Sequence, residues 1–100
     1  MNANVTLDRE ILAVFCRKWH IRELSLFGSA LRDDFGPDSD LDFLVSFEPG
    51  ATLDLFDLQE MKEELEACHG RPVDIVVKEA LRNPWRKREI LNTAEVVYAA

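Results

Sequence analysis

Two aspartates one residue apart, Asp40 and Asp42, stand at the start of an apolar run, Leu41-Asp42-Phe43-Leu44-Val45. In an extended chain successive side chains alternate faces, so both carboxylates point one way while Leu41 and Phe43 point the other. Two carboxylates on one strand face repel unless a cation or a hydrogen-bond network sits between them. Hard divalent ions such as Mg²⁺ take oxygen ligands of this kind, with waters and phosphates completing the shell. Upstream, Gly28-Ser29 closes another apolar run, Ile21 to Phe27, where a strand would turn into a short helix. Free backbone N–H groups at such a turn, with the helix dipole behind them, favour a phosphate. Gly28 suits the place because a Cβ would obstruct the phosphate's approach. A phosphate cradle and a metal clamp this close together belong to one site.

The rest of the chain reads as elements around that site. Thr6 caps a helix from Leu7 to about Trp19, with Leu7, Ile11, Leu12, Val14, Phe15 and Trp19 as its apolar stripe. Arg9, Glu10, Arg17 and Lys18 fall mostly on the other side, and His20 ends the helix at the surface. Ile21 to Phe27 is a first strand and Asp40 to Phe47 a second, with a one-turn helix over Ala30 to Asp34 broken by Gly36-Pro37. Asp38 and Ser39 form the approach to the second strand, and both side chains suit a turn. Thr52 caps a second helix, about Leu53 to Cys68, whose stripe is Leu55, Leu58, Met61, Leu65 and Cys68, with Gly70 as C-cap. Its solvated face is Glu60, Lys62, Glu63, Glu64 and Glu66. Val73 to Val77 is a third strand, and a short turn or helix follows at Glu79 to Leu81. Pro84 starts a third helix, Trp85 to Leu91, and Glu95 to Tyr98 is a fourth, edge strand. The reading is one α+β domain over residues 1–100: a mixed, mostly antiparallel sheet of about four strands with helices packed against it.

Composition narrows the function. A net charge of −7 argues against coating nucleic acid by electrostatics, so no direct nucleic-acid partner is expected. Cys16 and Cys68 lie in apolar, helix-like contexts and read as buried thiols in a reducing compartment. Neither Cys16 with His20 nor Cys68 with His69 has zinc-finger spacing. No apolar run is long enough to span a bilayer and no signal-peptide pattern opens the chain, which leaves no membrane role and the cytoplasm as the default compartment.

Gly28-Ser29, ten residues, then Asp40-Leu41-Asp42 resembles the signature of the polymerase-β-like nucleotidyltransferase superfamily. The finer wording, with Arg32 and Pro37-Asp38-Ser39-Asp40-Leu41-Asp42, is similar to its minimal branch, the minimal nucleotidyltransferase (MNT) antitoxins paired with HEPN-domain toxins. The resemblance covers essentially the whole chain and implies the minimal nucleotidyltransferase fold. It also implies a third strand carboxylate, and Asp74 within Val73 to Val77 supplies it. On this reading Asp40, Asp42 and Asp74 are the catalytic residues and the ligands of two Mg²⁺ ions, with Asp74 holding the metal beside the acceptor hydroxyl or acting as its general base. Gly28, Ser29, Arg32 and Ser39 are the expected nucleotide-binding residues, and ATP is the implied donor. Ser29 would offer its hydroxyl and N–H to the β- or γ-phosphate. Arg32 would pair with the triphosphate, or else bridge to Asp33 or Asp34 on its own helix.

The resemblance implies the acceptor as well: a tyrosine hydroxyl on a cognate HEPN ribonuclease toxin, which AMP then inactivates. A bulky anion near a ribonuclease site blocks RNA by charge and sterics. The leading expectation is thus a Mg²⁺-dependent protein adenylyltransferase acting as an antitoxin. The alternative is a non-catalytic antitoxin that keeps the fold and neutralises the toxin by direct binding. A third reading, a small-molecule nucleotidyltransferase of the aminoglycoside type, normally requires a further substrate-binding domain. The basic cluster Arg82, Arg86, Lys87 and Arg88 reads as a solvated helix face, against a contact with the triphosphate tail or with an acidic partner. The edge inferred near Glu95 to Tyr98 could pair with another copy or with a partner, or equally be covered, leaving homo- and hetero-oligomers open.

Overall fold

The computed structural model describes residues 7–28 and 39–100. In them four strands, β1 (Ile21–Phe27), β2 (Leu41–Phe47), β3 (Val73–Val77) and β4 (Glu95–Ala99), form one sheet in the order β3-β2-β1-β4. β1 runs antiparallel to both β2 and β4, whereas β2 and β3 are parallel. The sheet is therefore mixed and mostly antiparallel. Parallel neighbours need a crossover connection, and α2 (Leu55–His69) provides it between β2 and β3. The other helices are α1 (Arg9–Lys18), ahead of β1, and α3 (Pro84–Thr93), between β3 and β4.

Alternation along β2 sorts its residues between two faces. Leu41, Phe43 and Val45 are fully buried in the main core, while Asp42, Leu44 and Ser46 take the opposite parity. Leu24 and Leu26 of β1 and Val73 of β3 join that core. Leu12, Phe15, Cys16 and Trp19 close it from α1, and Met61 and Leu65 close it from α2. On the other side Ser46 is buried but satisfied: its hydroxyl donates to Glu79 Oε2 at 2.8 Å, and Phe47 N–H donates to Glu79 Oε1 at 3.0 Å. These bonds fasten a short 3₁₀ turn, Lys78–Ala80, onto the end of β2.

β1 and β3 match the expected strands to the residue, and β2 begins one residue later than expected, at Leu41. Several local readings are corrected. α1 starts at Arg9, not Leu7, because the Asp8 side chain accepts from the backbone N–H of Glu10 and Ile11; Thr6 lies outside the described residues. The buried stripe of α1 includes Cys16 and leaves Ile11 and Val14 exposed, since 12, 15, 16 and 19 share one helical face. α2 starts at Leu55 rather than Leu53, capped by Asp54 and not Thr52. Asp54 and Asp57 each accept from the other's backbone N–H, a reciprocal box that Thr52 is too far upstream to make.

Cys68 is exposed, against the expectation of burial. The step from Met61 to Leu65 continues to His69, whose ring lies 5.8 Å from that of Phe43, so position 68 turns outward. Leu55 is exposed too, on the rim of a groove along β3, which is an edge strand among the described residues. Glu64 and Glu66 are not simply solvated. Glu64 pairs with Lys18 at 2.9 Å and accepts from Trp19 Nε1, and Glu66 accepts from Val73 N–H at 3.0 Å. Gly70 does cap α2 in the left-handed conformation, with φ 66°. Among the described residues no helix is long and apolar enough to cross a membrane.

Candidate active site

The site is built where β1 ends and where β2 and β3 begin. Antiparallel pairing sets Phe27, the last residue of β1, opposite Asp42, and parallel pairing sets Asp74 opposite the same Asp42. Asp42 thus lies on the central strand with an edge-strand carboxylate directly beside it. Residues in register on neighbouring strands share a face, so Asp42 and Asp74 project together. Asp40 precedes β2 by one residue, at the same end, and is exposed. Pro72 C=O accepts from Leu41 N–H at 3.0 Å, which ties the entries to β2 and β3 together. Arg71 donates to Ser39 C=O at 3.4 Å and links the same two approaches.

Gly28 caps the arrangement from β1. Its φ is +72°, a left-handed conformation that side chains disfavour. A Cβ at this position would overlap Oδ2 of Asp42 and lie 3.3 Å from its Cγ. The glycine therefore makes room first for the Asp42 carboxylate. Sequence reasoning assigned that room to a phosphate and missed the carboxylate, since the spacing of Gly28 and Asp42 does not reveal their strand register. Ser39 is described and half-buried, close in sequence to Asp40. Ser29 and Arg32 lie outside the described residues, as do Asp33, Asp34 and Asp38.

Like charges directly opposite on neighbouring strands destabilise a sheet, and carboxylate oxygens are the donors that hard divalent cations take. The donor chemistry of Asp40, Asp42 and Asp74 therefore fits Mg²⁺. Among the described residues, no three His, Cys, Asp or Glu side chains stand close enough together to enclose an ion by themselves. What the sheet assembles is the adjacent pair, Asp42 and Asp74.

Beside Asp74, a groove of about 290 Å³ follows the open edge of β3, lined by Leu55, Leu58, Lys62 and Ile75. It has an apolar wall from Leu55 and Leu58 of α2, and Asp74 is among its lining residues. Sequence reading gave Lys62 to a solvated face and did not find this groove. The edge position of β3, which opens it, is a property of the whole sheet.

A family model described as a nucleotidyltransferase domain matches residues 8–97. The chain is 40% identical over 81 residues to the protein adenylyltransferase MntA of Thermococcus cleftensis, covering 81% of this chain and 77% of that one. It is 36% identical over 94 residues to a Methanocaldococcus jannaschii protein provisionally named a protein adenylyltransferase, covering 94% and 96% of the two chains. A solved structure described, provisionally, as a minimal nucleotidyltransferase superposes with a TM-score of 0.70 at 37% identity, over 87% of this chain and 86% of that one. A toxin–antitoxin structure with AMP-PNP has the same fold, with a TM-score of 0.76 at 19% identity over 94% of this chain and 75% of that chain.

Proposed function

We propose, given that the chain belongs to the nucleotidyltransferase domain family and is homologous to MntA-type protein adenylyltransferases, that it transfers AMP from ATP to a tyrosine hydroxyl of a cognate HEPN-domain toxin and so acts as an antitoxin. The observation that chiefly supports this reading is the register of Asp42 with Asp74, under a glycine that leaves the Asp42 carboxylate its room. The choice of donor and partner draws on relatives of the same fold. One was solved with AMP-PNP in a toxin–antitoxin structure, and another is described as an AMPylated Shewanella oneidensis HEPN toxin in complex with an MNT antitoxin.

In the proposed reaction the tyrosine oxygen attacks the α-phosphorus of ATP. The bond between that phosphorus and the α–β bridging oxygen breaks, and pyrophosphate leaves. The hydroxyl proton passes to the Asp74 carboxylate, Asp74 being among the residues that line the groove where the acceptor would lie. Gly28, with Ser29, Arg32 and Ser39, would bind and orient the triphosphate. Asp40, Asp42 and Asp74 would hold Mg²⁺, which when bound supplies charge neutralisation at the attacking and leaving oxygens. A carboxylate pair with no cation would instead repel the triphosphate.

The test is intact-mass analysis of a cognate HEPN toxin incubated with a substoichiometric amount of this protein, ATP and Mg²⁺. The expected result is a mass increase in whole AMP units on most of the toxin, abolished in the Asp40→Asn/Asp42→Asn double variant. Unmodified toxin that is inactive only at one-to-one dose would replace transfer by neutralisation through binding. Transfer that persists in the double variant would remove the carboxylates from the mechanism.

A further inference from the structure

We infer that the outer face of α3 is a docking surface for a protein that presents acidic side chains around an apolar pocket, and that the HEPN toxin of the proposed pair is that protein. The second clause rests on the function proposed above; the first rests on the following features of the chain.

The charge pattern comes first. From residue 80 to residue 88 there is no carboxylate, yet Arg82, Arg86, Lys87 and Arg88 all fall there, in a chain whose net charge is −7. All four are exposed. The ion pairs seen among the described residues, Lys18 with Glu64 and His20 with Glu48, engage none of them. A cationic patch on an otherwise anionic molecule orients an approaching partner and selects one of opposite sign.

Solvated cations need no partner, but an exposed indole is harder to explain that way. Trp85 is 77% exposed, one helical turn before Arg88. Leu91, on the same helix, is 40% exposed. Only Ile90 of α3 is buried, so this chain itself covers little else of the helix. The start of the helix is capped nonetheless. Asn83 accepts from the N–H groups of Trp85 and Arg86, and Pro84 stands at its first turn. Tryptophan and arginine together are the residues that most often dominate protein interfaces. A nucleic acid would use the same cations, but it would be repelled by the rest of this molecule. The favoured occupant is therefore a protein that buries the indole and pairs the arginines.

Binding of the HEPN toxin is measured by calorimetry at low and high salt for the wild type, Trp85→Ala, Arg86→Glu/Arg88→Glu, and Arg82→Glu, which lies outside the helix. AMP-PNP affinity and thermal midpoint are recorded for each. Trp85→Ala and the double reversal should each weaken toxin binding by about tenfold or more, and binding should fall with salt. Nucleotide affinity and thermal midpoint should stay at the wild-type values. A wild-type complex equalled by all the variants would overturn the docking surface and leave the proposed reaction standing. Weaker AMP-PNP binding with unchanged toxin binding would reassign the cations to the triphosphate. Loss of single-stranded RNA binding, or of self-association, with unchanged toxin binding would likewise overturn the inference. A wild type that neither binds nor modifies the toxin would overturn both readings.

Discussion

At the scale of single residues, Gly28 and Asp42 depend on one another. The overlap that a Cβ would create is with the far end of the Asp42 side chain, which can rotate away. Gly28→Ala should therefore cost about 2 kcal/mol of stability from the left-handed backbone and crowding. It should reduce AMP transfer far more, because the relief turns the Asp42 carboxylate away from its place beside Asp74. Chemical denaturation and the mass assay on the same preparation separate the two effects; equal wild-type activity would show that the carboxylate need not be held there. The cysteines give a second contrast. Burial pushes the Cys16 thiol up to about 12 from 9.0, against a smaller lowering by Arg17, while Cys68 is exposed. A thiol reagent at pH 8 should modify Cys68 quickly and Cys16 only on unfolding. Below pH 9 both states of the protein keep the Cys16 proton. Between 9 and about 12 only the unfolded state releases it, so stability should fall as pH rises through that window, and fall less in Cys16→Ala measured against its own neutral-pH value.

At the scale of elements, the starts of α1 and α2 were misread, whereas Pro84 does start α3 and the strands were read to within a residue. Thr6 and Thr52 are reasonable caps, but Asp8 and Asp54 lie two residues further on and do the capping. The signal was present as Asp54-Leu55-Phe56-Asp57, where N-cap and third helical residue satisfy each other's N–H groups. Asp54→Ala should cost about 1 kcal/mol, read as a lower denaturant midpoint with an unchanged slope. Thr52→Ala should have little effect by the same measurement. The 3₁₀ turn was legible as a short turn or helix, placed one residue late at Glu79 to Leu81; that Glu79 reaches Ser46 and the Phe47 amide on β2 was not, because thirty-odd residues separate them. Helix stripes were drawn too broadly: Leu12, Phe15 and Trp19 are buried as expected, but Ile11, Val14, Leu55 and Cys68 are exposed, and Cys16 joins the core. A helical stripe is broad, and only the sheet beneath decides which flank of it is covered.

At the scale of the molecule, the order β3-β2-β1-β4 decides what kind of site this is. It puts Asp42 on a central strand, with Gly28 approaching from one side and Asp74 from the other, and it leaves β3 as an open edge with a groove beside it. The amino-acid sequence alone determined the strands, the α+β class, the two-residue spacing of Asp40 and Asp42, and a resemblance that named Asp74. Those are consequences of period-two alternation, turn chemistry and residue spacing, all written within a few neighbours along the chain. Only the tertiary structure decided that Asp74 lies in register with Asp42, that Gly28 is packed against a carboxylate, and that Trp85 is left uncovered on α3. Register, strand order and the covering of a face depend on partners distant in sequence, and the free energy that selects among them belongs to the assembled core.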